Sequence, residues 1–157
     1  VAGKILGSAF VAVSTATTVA SPAPVIPLDD TIPQSTEGTE FMTLAYTPKS
    51  ATSTLEIEVG LNGRVNTNVF NIASAIFRDS TADAICAQLF RVQADNTTGM
   101  LAMKCQVASG STAATTFKVR AGPTGTAEFG FNTTSAGTTR IFGGVRYSFL
   151  KITEIAN

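Results

Sequence analysis

Apolar and polar residues alternate along much of this chain with the period of a β-strand. The clearest case is residues 54–61, where four aliphatic side chains alternate with two glutamates and a glycine. This pattern predicts a strand with one buried and one solvated face. Residues 115–120 repeat it briefly, and residues 145–155, rich in aromatic and β-branched side chains, predict a third strand. Weaker patterns predict strands at residues 5–13, 41–46, 69–77, 85–92, 101–107 and 126–131.

Turn-forming residues separate these segments at short intervals. They occur at residues 48–50, 62–63, 95–96, 109–110, 122–123 and 143–144. Many short strands at such spacing are typical of an antiparallel β-sandwich or barrel. Residues 71–88 have some helical spacing, but Ile72, Ile76 and Phe77 favour a strand. We therefore predict an all-β, jelly-roll-like sandwich of about eight to ten strands.

The length fits a single domain, residues 1–157. Within it we expect an N-terminal strand and linker at 1–20 and the main sandwich at 39–157. Residues 21–38 contain four prolines and three acids, which predict an extended connection crossing the sandwich surface. Glycine, lysine and serine interrupt the first apolar stretch, so we expect neither a membrane-spanning helix nor a signal peptide. Whether the N-terminus is native or cut from a longer chain stays open.

Composition excludes several classes of function. The chain has no histidine, which rules out a Ser-His-Asp triad, a histidine-ligated metal and an imidazole pH switch. Its net charge is zero and its arginines are scattered, so we expect no nucleic-acid partner. Hydrophobic residues reach 44% and charged residues only 14%. This excess suggests that one sandwich face is buried against another copy of the chain.

Carboxylate pairs are the main candidates for chemistry. Asp29 and Asp30 invite a metal or hydrolase interpretation, but we expect them to be solvated turn formers. Glu56 and Glu58 lie on the polar side of a predicted strand, where they favour solubility. Residues 122–125 lack the lysine of a phosphate-binding loop. We therefore expect no catalytic residue, no cofactor and no metal.

Other polar residues have structural interpretations. Arg78 and Arg120 are expected to form ion pairs, for which the candidate partners are Asp79, Asp83 and Glu154. The acceptor pattern for N-glycosylation occurs at Asn96 and Asn132, and we interpret both as chance matches.

Cys86 and Cys105 are the only cysteines and are too far apart for a CxxC motif. A hairpin turning at residues 95–99 would place them roughly opposite each other. A disulfide and two buried free thiols both remain open, and we expect free thiols.

Several short motifs occur in an order that resembles a known family. Residues 3–6, Gly-Lys-Ile-Leu, are similar to a GKxLQ start, with Gly7 where that pattern has Gln. The other segments of the resemblance are residues 26–34, 37–40, 47–51, 55–57, 115–122, 142–144 and 148–155. Together they resemble the C-terminal domains of tailed-bacteriophage tail fibres and tailspikes over nearly the whole chain.

This resemblance implies a non-enzymatic, jelly-roll-like domain that forms a homotrimer at the end of a fibre. It implies a virion location, with other virion proteins and a host-surface glycan or protein as partners, and no membrane insertion. A fibre tip, a head fibre and a capsid decoration protein remain open. No receptor-contact residue is carried over, because loop tips vary freely.

Two other classes of function remain as alternatives. A monomeric carbohydrate-binding sandwich would present exposed aromatic rings, but Tyr46 and Tyr147 are both expected to face inward. A hydrolase would need Asp29, Asp30 or Glu37 to face a second acid across a cleft.

Overall fold

Alternating residues form strands throughout the computed structural model, which describes residues 3–66, 70–94, 97–134 and 139–157. These residues contain one short 3-10 turn, Phe142–Gly144, and no α-helix. The strands are β1 Ile5–Val13, β2 Thr17–Val19, β3 Thr39–Tyr46, β4 Thr54–Val65, β5 Phe70–Arg78, β6 Cys86–Val92, β7 Thr98–Ala108, β8 Thr115–Pro123, β9 Phe129–Phe131 and β10 Ser148–Ile155. The prediction of an all-β chain is confirmed.

The strands form two antiparallel sheets that pack face to face. The six-stranded sheet has the order β1-β10-β4-β9-β2, with β7 also paired to β4, and the four-stranded sheet has the order β3-β8-β5-β6. The chain crosses from one sheet to the other after β2, β3, β4, β6, β7 and β8. This arrangement is a jelly-roll-like sandwich, as predicted.

The core lies between the two sheets. The aliphatic side chains of β4 at Leu55, Ile57, Val59 and Leu61 are buried, as their alternation predicts. The four-stranded sheet contributes side chains such as Phe117, which is fully buried in the same cluster. Consequently the side chains at intervening positions of β4, β7 and β10 lie on the outer face of the six-stranded sheet.

Several predicted boundaries are wrong. Residues 62–63 are not a turn, since Asn62 pairs with Met100 and Gly63 with Gly99 in the ladder between β4 and β7. Residues 122–123 end β8 rather than forming a turn, because Pro123 pairs with Ile72. The last strand begins at Ser148 and not at residue 145. The predicted turn at residues 95–96 lies outside the described residues.

The hairpin of residues 84–92 and 100–107 that would place the two cysteines opposite each other is not formed. β6 pairs with β5 in one sheet, and β7 pairs with β4 in the other. Both strands carry apolar side chains that pack on the common core. They do so from opposite sides, because each strand belongs to a different sheet. The two strands are therefore neighbours across the sandwich.

Residues 21–38 form the extended connection that their prolines predict. Within the described chain this segment contains no regular strand and only one isolated bridge, between Gln34 and Asp83. Ile26 is buried in a small cluster that includes Ala75 and Phe77 of β5. The connection thus covers the outer face of the four-stranded sheet. By contrast, residues 17–19, expected as a linker, form β2 and pair with β9.

Candidate functional site

Three aromatic side chains cluster at one end of the outer face of the six-stranded sheet. Phe10 of β1 is 55% exposed, and Tyr147, immediately before β10, is 47% exposed. The Phe10 and Phe149 ring centroids are 5.9 Å apart and nearly stacked, while Tyr147 meets Phe10 edge-on at 6.4 Å. Exposed clustered rings on a small domain are unusual and mark binding surfaces. We call Phe10, Tyr147 and Phe149 the aromatic face.

Gly60 provides the space in which Phe149 lies flat on the sheet. Gly60 pairs with Phe149 in the ladder between β4 and β10, and a Cβ atom at this position would collide with the Phe149 ring. On the other side, Gly60 pairs with Ala102 of β7, which is exposed. A hollow of about 250 Å³ beside the Phe149 ring is lined in part by Glu58, Ala102 and Lys104. The face therefore has both a protruding ring, Phe10, and a depression.

Alternating charges occupy the rest of this outer surface. Lys104 Nζ lies 2.8 Å from Glu56 Oε1, and Lys151 Nζ lies 2.9 Å from Glu58 Oε2. The hydrogen bonds from Lys104 and Gln106 lower the pKa of Glu56, and that from Lys151 lowers the pKa of Glu58. These pairs neutralise each other, so the charged ladder of Glu56, Glu58, Lys104 and Lys151 adds no net charge to the face.

Arg146 lies next to the aromatic face in sequence and is partly buried. Its Nη2 donates to Asn62 Oδ1 at 3.3 Å, and Asn62 Nδ2 donates to the Tyr147 carbonyl at 2.8 Å. Among the described residues, Arg146 Nη1 is buried and has no hydrogen-bond partner. Burial lowers the pKa of this guanidinium. The Nη1 group is therefore a buried donor and does not lie on the surface of the aromatic face.

Glu154 holds the turn that follows β3. Its carboxylate is fully buried and accepts hydrogen bonds from Tyr46 OH at 2.8 Å and Ser53 Oγ at 2.6 Å. The backbone N–H groups of Lys49 and Ser50 donate to it at 2.9 Å. Burial alone would raise the pKa of Glu154, but these hydrogen bonds outweigh it and lower the pKa. This bonding is structural, and it satisfies a carboxylate that would otherwise be costly to bury.

Asp29 and Asp30 are exposed, as expected. Asp29 Oδ1 accepts hydrogen bonds from the Thr31 backbone N–H at 2.9 Å and the Thr31 hydroxyl at 2.6 Å, and these bonds lower the pKa of Asp29. This is the geometry of a turn former. Both acids border a groove of about 320 Å³ that also touches Ile85 and Cys86. Glu37 does not line this groove; its carboxylate instead accepts from the Gln34 backbone N–H at 2.9 Å.

The candidate ion pairs are only partly as predicted. Arg78 Nε lies 3.7 Å from Asp79 Oδ2, and its terminal nitrogens donate to the carbonyls of Ala108 and Ser109. Arg120 pairs with Glu40 at 3.7 Å. Asp83 and Glu154, two of the expected partners of these arginines, bind other groups in the structure. Asp83 accepts from Gln34, and Glu154 accepts from the groups described above.

The expectation for the tyrosines is correct for Tyr46 and wrong for Tyr147. Tyr46 is buried, and burial together with Glu154 raises its pKa to about 12. Tyr147 is exposed, because β10 begins only at Ser148 and Tyr147 continues its outward-facing positions. The glycosylation match at Asn132 is buried and bonded to Val13 and Ser148, whereas Asn96 lies outside the described residues.

Sequence reasoning missed the aromatic face, the Glu154 cluster and the burial of Arg64. Arg64 was one of several scattered arginines, yet it is fully buried and its Nη2 pairs with Glu128 Oε1 at 2.5 Å. One signal for the aromatic face was present in the sequence. Gly60 interrupts an otherwise regular strand, and an isolated glycine in a strand often marks a close approach by another group.

Two further observations concern residues 3–66, 70–94, 97–134 and 139–157. No helix in these ranges is long and apolar enough to cross a membrane. In the same ranges, no group of three or more Cys, Asp or Glu side chains is placed to hold a metal ion.

No family model matches the chain, and no curated protein matches it.

Solved structures that match include three of very different proteins. Dimeric latent PorU from Porphyromonas gingivalis is 9% identical with a TM-score of 0.43, and the match covers 91% of this chain but 13% of PorU. Eiger TNF from S. frugiperda is 9% identical with a TM-score of 0.42, and the match covers 94% of this chain and 94% of that chain. The infectious bursal disease virus structure, Gx strain, is 10% identical with a TM-score of 0.41, covering 98% of this chain and 38% of that chain. At these values the comparisons assign no family to the chain.

Proposed function

We propose that this chain is a non-enzymatic structural subunit of a bacteriophage virion, acting as a trimeric fibre tip or surface knob. The observation that carries the proposal is the aromatic face, which is exposed on a sandwich whose core is otherwise closed. The motif order that resembles tail-fibre end domains supports the choice of a virion protein and of three copies. The proposal includes a head fibre or a capsid decoration protein, which would have the same structural role at another place on the particle.

A second copy of the chain is the occupant that suits the aromatic face. The face carries a protruding ring, Phe10, and a hollow beside Phe149, so one copy can insert its ring into the depression of the next. A contact between two different spots on the same chain is heterologous, and such contacts give a closed ring when the rotation between copies closes, as it does in a trimer. The charged ladder has both positive and negative side chains at the rim of the hollow. These charges can pair with the same ladder on a second copy of the chain.

Burial of the aromatic face would remove the exposed area of the Phe10 and Tyr147 rings from water. Aromatic side chains contribute strongly to interfaces because each buries a large area, and clustered rings add edge and stacking contacts. In this assembly the polar loops at the ends of the sandwich remain free to meet the host surface. The loop at residues 109–114 is one of these, since residues 110–114 are all exposed.

The native mass in solution tests this proposal. We expect light scattering behind a sizing column to give the mass of three chains. Phe10→Glu places a charge on the aromatic face and should give monomers that stay folded by circular dichroism. Leu89→Glu is the matched control, because Leu89 is also an exposed apolar strand residue but lies in the four-stranded sheet. A monomeric wild-type chain, or trimers that persist in Phe10→Glu, would refute the proposal.

The alternative of a monomeric carbohydrate-binding sandwich is favoured by one observation, the exposure of Tyr147. Flat exposed rings can pack on sugar faces, and Phe10 is a second exposed ring beside Tyr147. A monomeric wild-type chain that binds glycans on an array, with binding lost in Tyr147→Ala, would establish this function instead.

A further inference from the structure

Cys86 and Cys105 lie in two strands that face each other across the sandwich. Cys86 begins β6, whose pairing in the described chain is with β5, and Cys105 lies in β7, which pairs with β4. Cys86 is opposite Ile76 and Cys105 is opposite Ile57, and both isoleucines are fully buried. Directly opposed residues in a sheet point to the same face, so both cysteines point inward from opposite sheets.

The two thiols are also close to each other. Both are half-buried against the common core cluster and neither is in a disulfide. The Cys86 thiol is close enough to Cys105 to act, after burial, as a cause of the raised pKa of Cys105. Inward direction from opposite sheets and packing on the same core cluster place the two thiols as a cross-link between the sheets requires.

We propose that Cys86 and Cys105 are a site of reversible disulfide formation that cross-links the two sheets when a small disulfide oxidant is present. The Cys86 thiolate attacks the oxidant, forming a mixed disulfide and releasing one thiolate. The Cys105 sulfur, after losing its proton to solvent, attacks Cys86 Sγ and releases the second thiolate. The protein thus loses two electrons and two protons, and the oxidant is reduced to two thiols.

The surroundings of the two sulfurs set this order. Cys86 is half-buried at the start of β6, an edge strand among the described residues, and it borders the groove of about 320 Å³ beside residues 29–33, so a small reagent approaches it at this edge of the sandwich. Burial and the neighbouring Cys86 raise the pKa of Cys105 to about 12, which keeps Cys105 as the unreactive thiol at neutral pH. Cys105 therefore reacts only after Cys86 has become an electrophile close to it.

Intact mass after treatment with hydroxyethyl disulfide, a neutral oxidant that the acids of the groove do not repel, tests the order. Wild-type protein should lose two hydrogen atoms and then resist alkylation with iodoacetamide under denaturing conditions. Cys105→Ser should stop at one mercaptoethanol adduct on Cys86. Cys86→Ser should remain unmodified at neutral pH over the same time. Two stable adducts on the wild-type chain, or two alkylatable thiols after treatment, would overturn the proposal.

Thermal unfolding tests whether the bond fits the native sandwich. Closing a loop of this length should raise the Tm by roughly 5–10 °C. Each single serine variant, checked for folding by circular dichroism, should show no change in Tm on oxidation. An oxidised wild-type chain with a lowered Tm would mean that the link forms only in a distorted state, contrary to the proposal. The outcome is independent of the oligomeric state, because both cysteines lie away from the aromatic face.

Discussion

Burial of the Glu154 carboxylate is tolerated because four residues donate hydrogen bonds to it: Tyr46, Lys49, Ser50 and Ser53. The bonds connect β10 to the turn that follows β3, so one side chain fixes the relation between two sheets. Removing the charge leaves these donors with a poorer acceptor, and buried groups without partners are costly.

Glu154→Gln tests this role at the scale of one residue. We expect a loss of about 2–4 kcal/mol in the free energy of unfolding, since the glutamine NH₂ group faces donors instead of accepting from them. Urea unfolding followed by circular dichroism measures it. Glu40→Gln is the matched control, because the Glu40 carboxylate is more than a third exposed, and its cost should stay below about 1 kcal/mol. Equal losses in the two variants would refute the role assigned to Glu154.

The loss of stability at acid pH should depend on the same carboxylate. Because the folded pKa of Glu154 is lowered, its stabilisation is present above the pKa of about 4.3 in the unfolded chain. It is lost as the pH falls through the lower folded value. We therefore expect the free energy of unfolding to decrease below about pH 4.3, and to decrease less steeply in Glu154→Gln. Parallel profiles for the two proteins would contradict this explanation.

At the scale of elements, β4 shows how one glycine shapes a surface. Its aliphatic positions build the core, whereas Gly60 on the other side lets the Phe149 ring lie against the backbone. A glycine normally weakens a strand. Here the lost propensity is offset by contact with an aromatic ring, which places Phe149 beside Phe10 and Tyr147.

Gly60→Val should destabilise the protein although valine has the higher strand propensity. The new side chain would displace the Phe149 ring, and we expect a cost of about 1–3 kcal/mol in the free energy of unfolding. Ala102→Val provides the comparison, since Ala102 pairs with Gly60 but is exposed, and its effect should be within about 0.5 kcal/mol. Chemical denaturation of both variants measures the difference. A neutral or stabilising Gly60→Val would show that the ring does not depend on this space.

At the scale of the whole molecule, the structure shows where the many apolar residues of the composition lie. Aliphatic residues fill the core, and the aromatic face adds Phe10 and Tyr147 to the large apolar side chains that remain exposed on the six-stranded sheet. If copies associate through this face, association and folding are linked by mass action.

The Tm should therefore rise with protein concentration. Scanning calorimetry over a hundredfold range of concentration should show the rise for the wild-type chain and for Leu89→Glu. Phe10→Glu should melt at one lower temperature throughout. A Tm of the wild-type chain that does not depend on concentration would argue for a folded monomer.

Strand positions could be predicted from the sequence because alternation of apolar and polar residues is a local property. Residues 5–13 and 54–61 were located in this way, and their observed strands include these ranges. The extended connection at residues 21–38 was predictable for the same reason, since proline removes a ladder donor wherever it occurs. Fold class followed from the number and spacing of such segments.

Pairing and burial were decided only by the tertiary structure. Glu154 meets its donors across more than 100 residues of sequence, and Arg64 meets Glu128 across 64. β6 and β7 are consecutive along the chain yet belong to different sheets, which no local pattern encodes. The sequence by itself determined where strands form and that the chain is all-β. Which strands pair, which charges are buried and which rings remain exposed depended on how distant segments share one core.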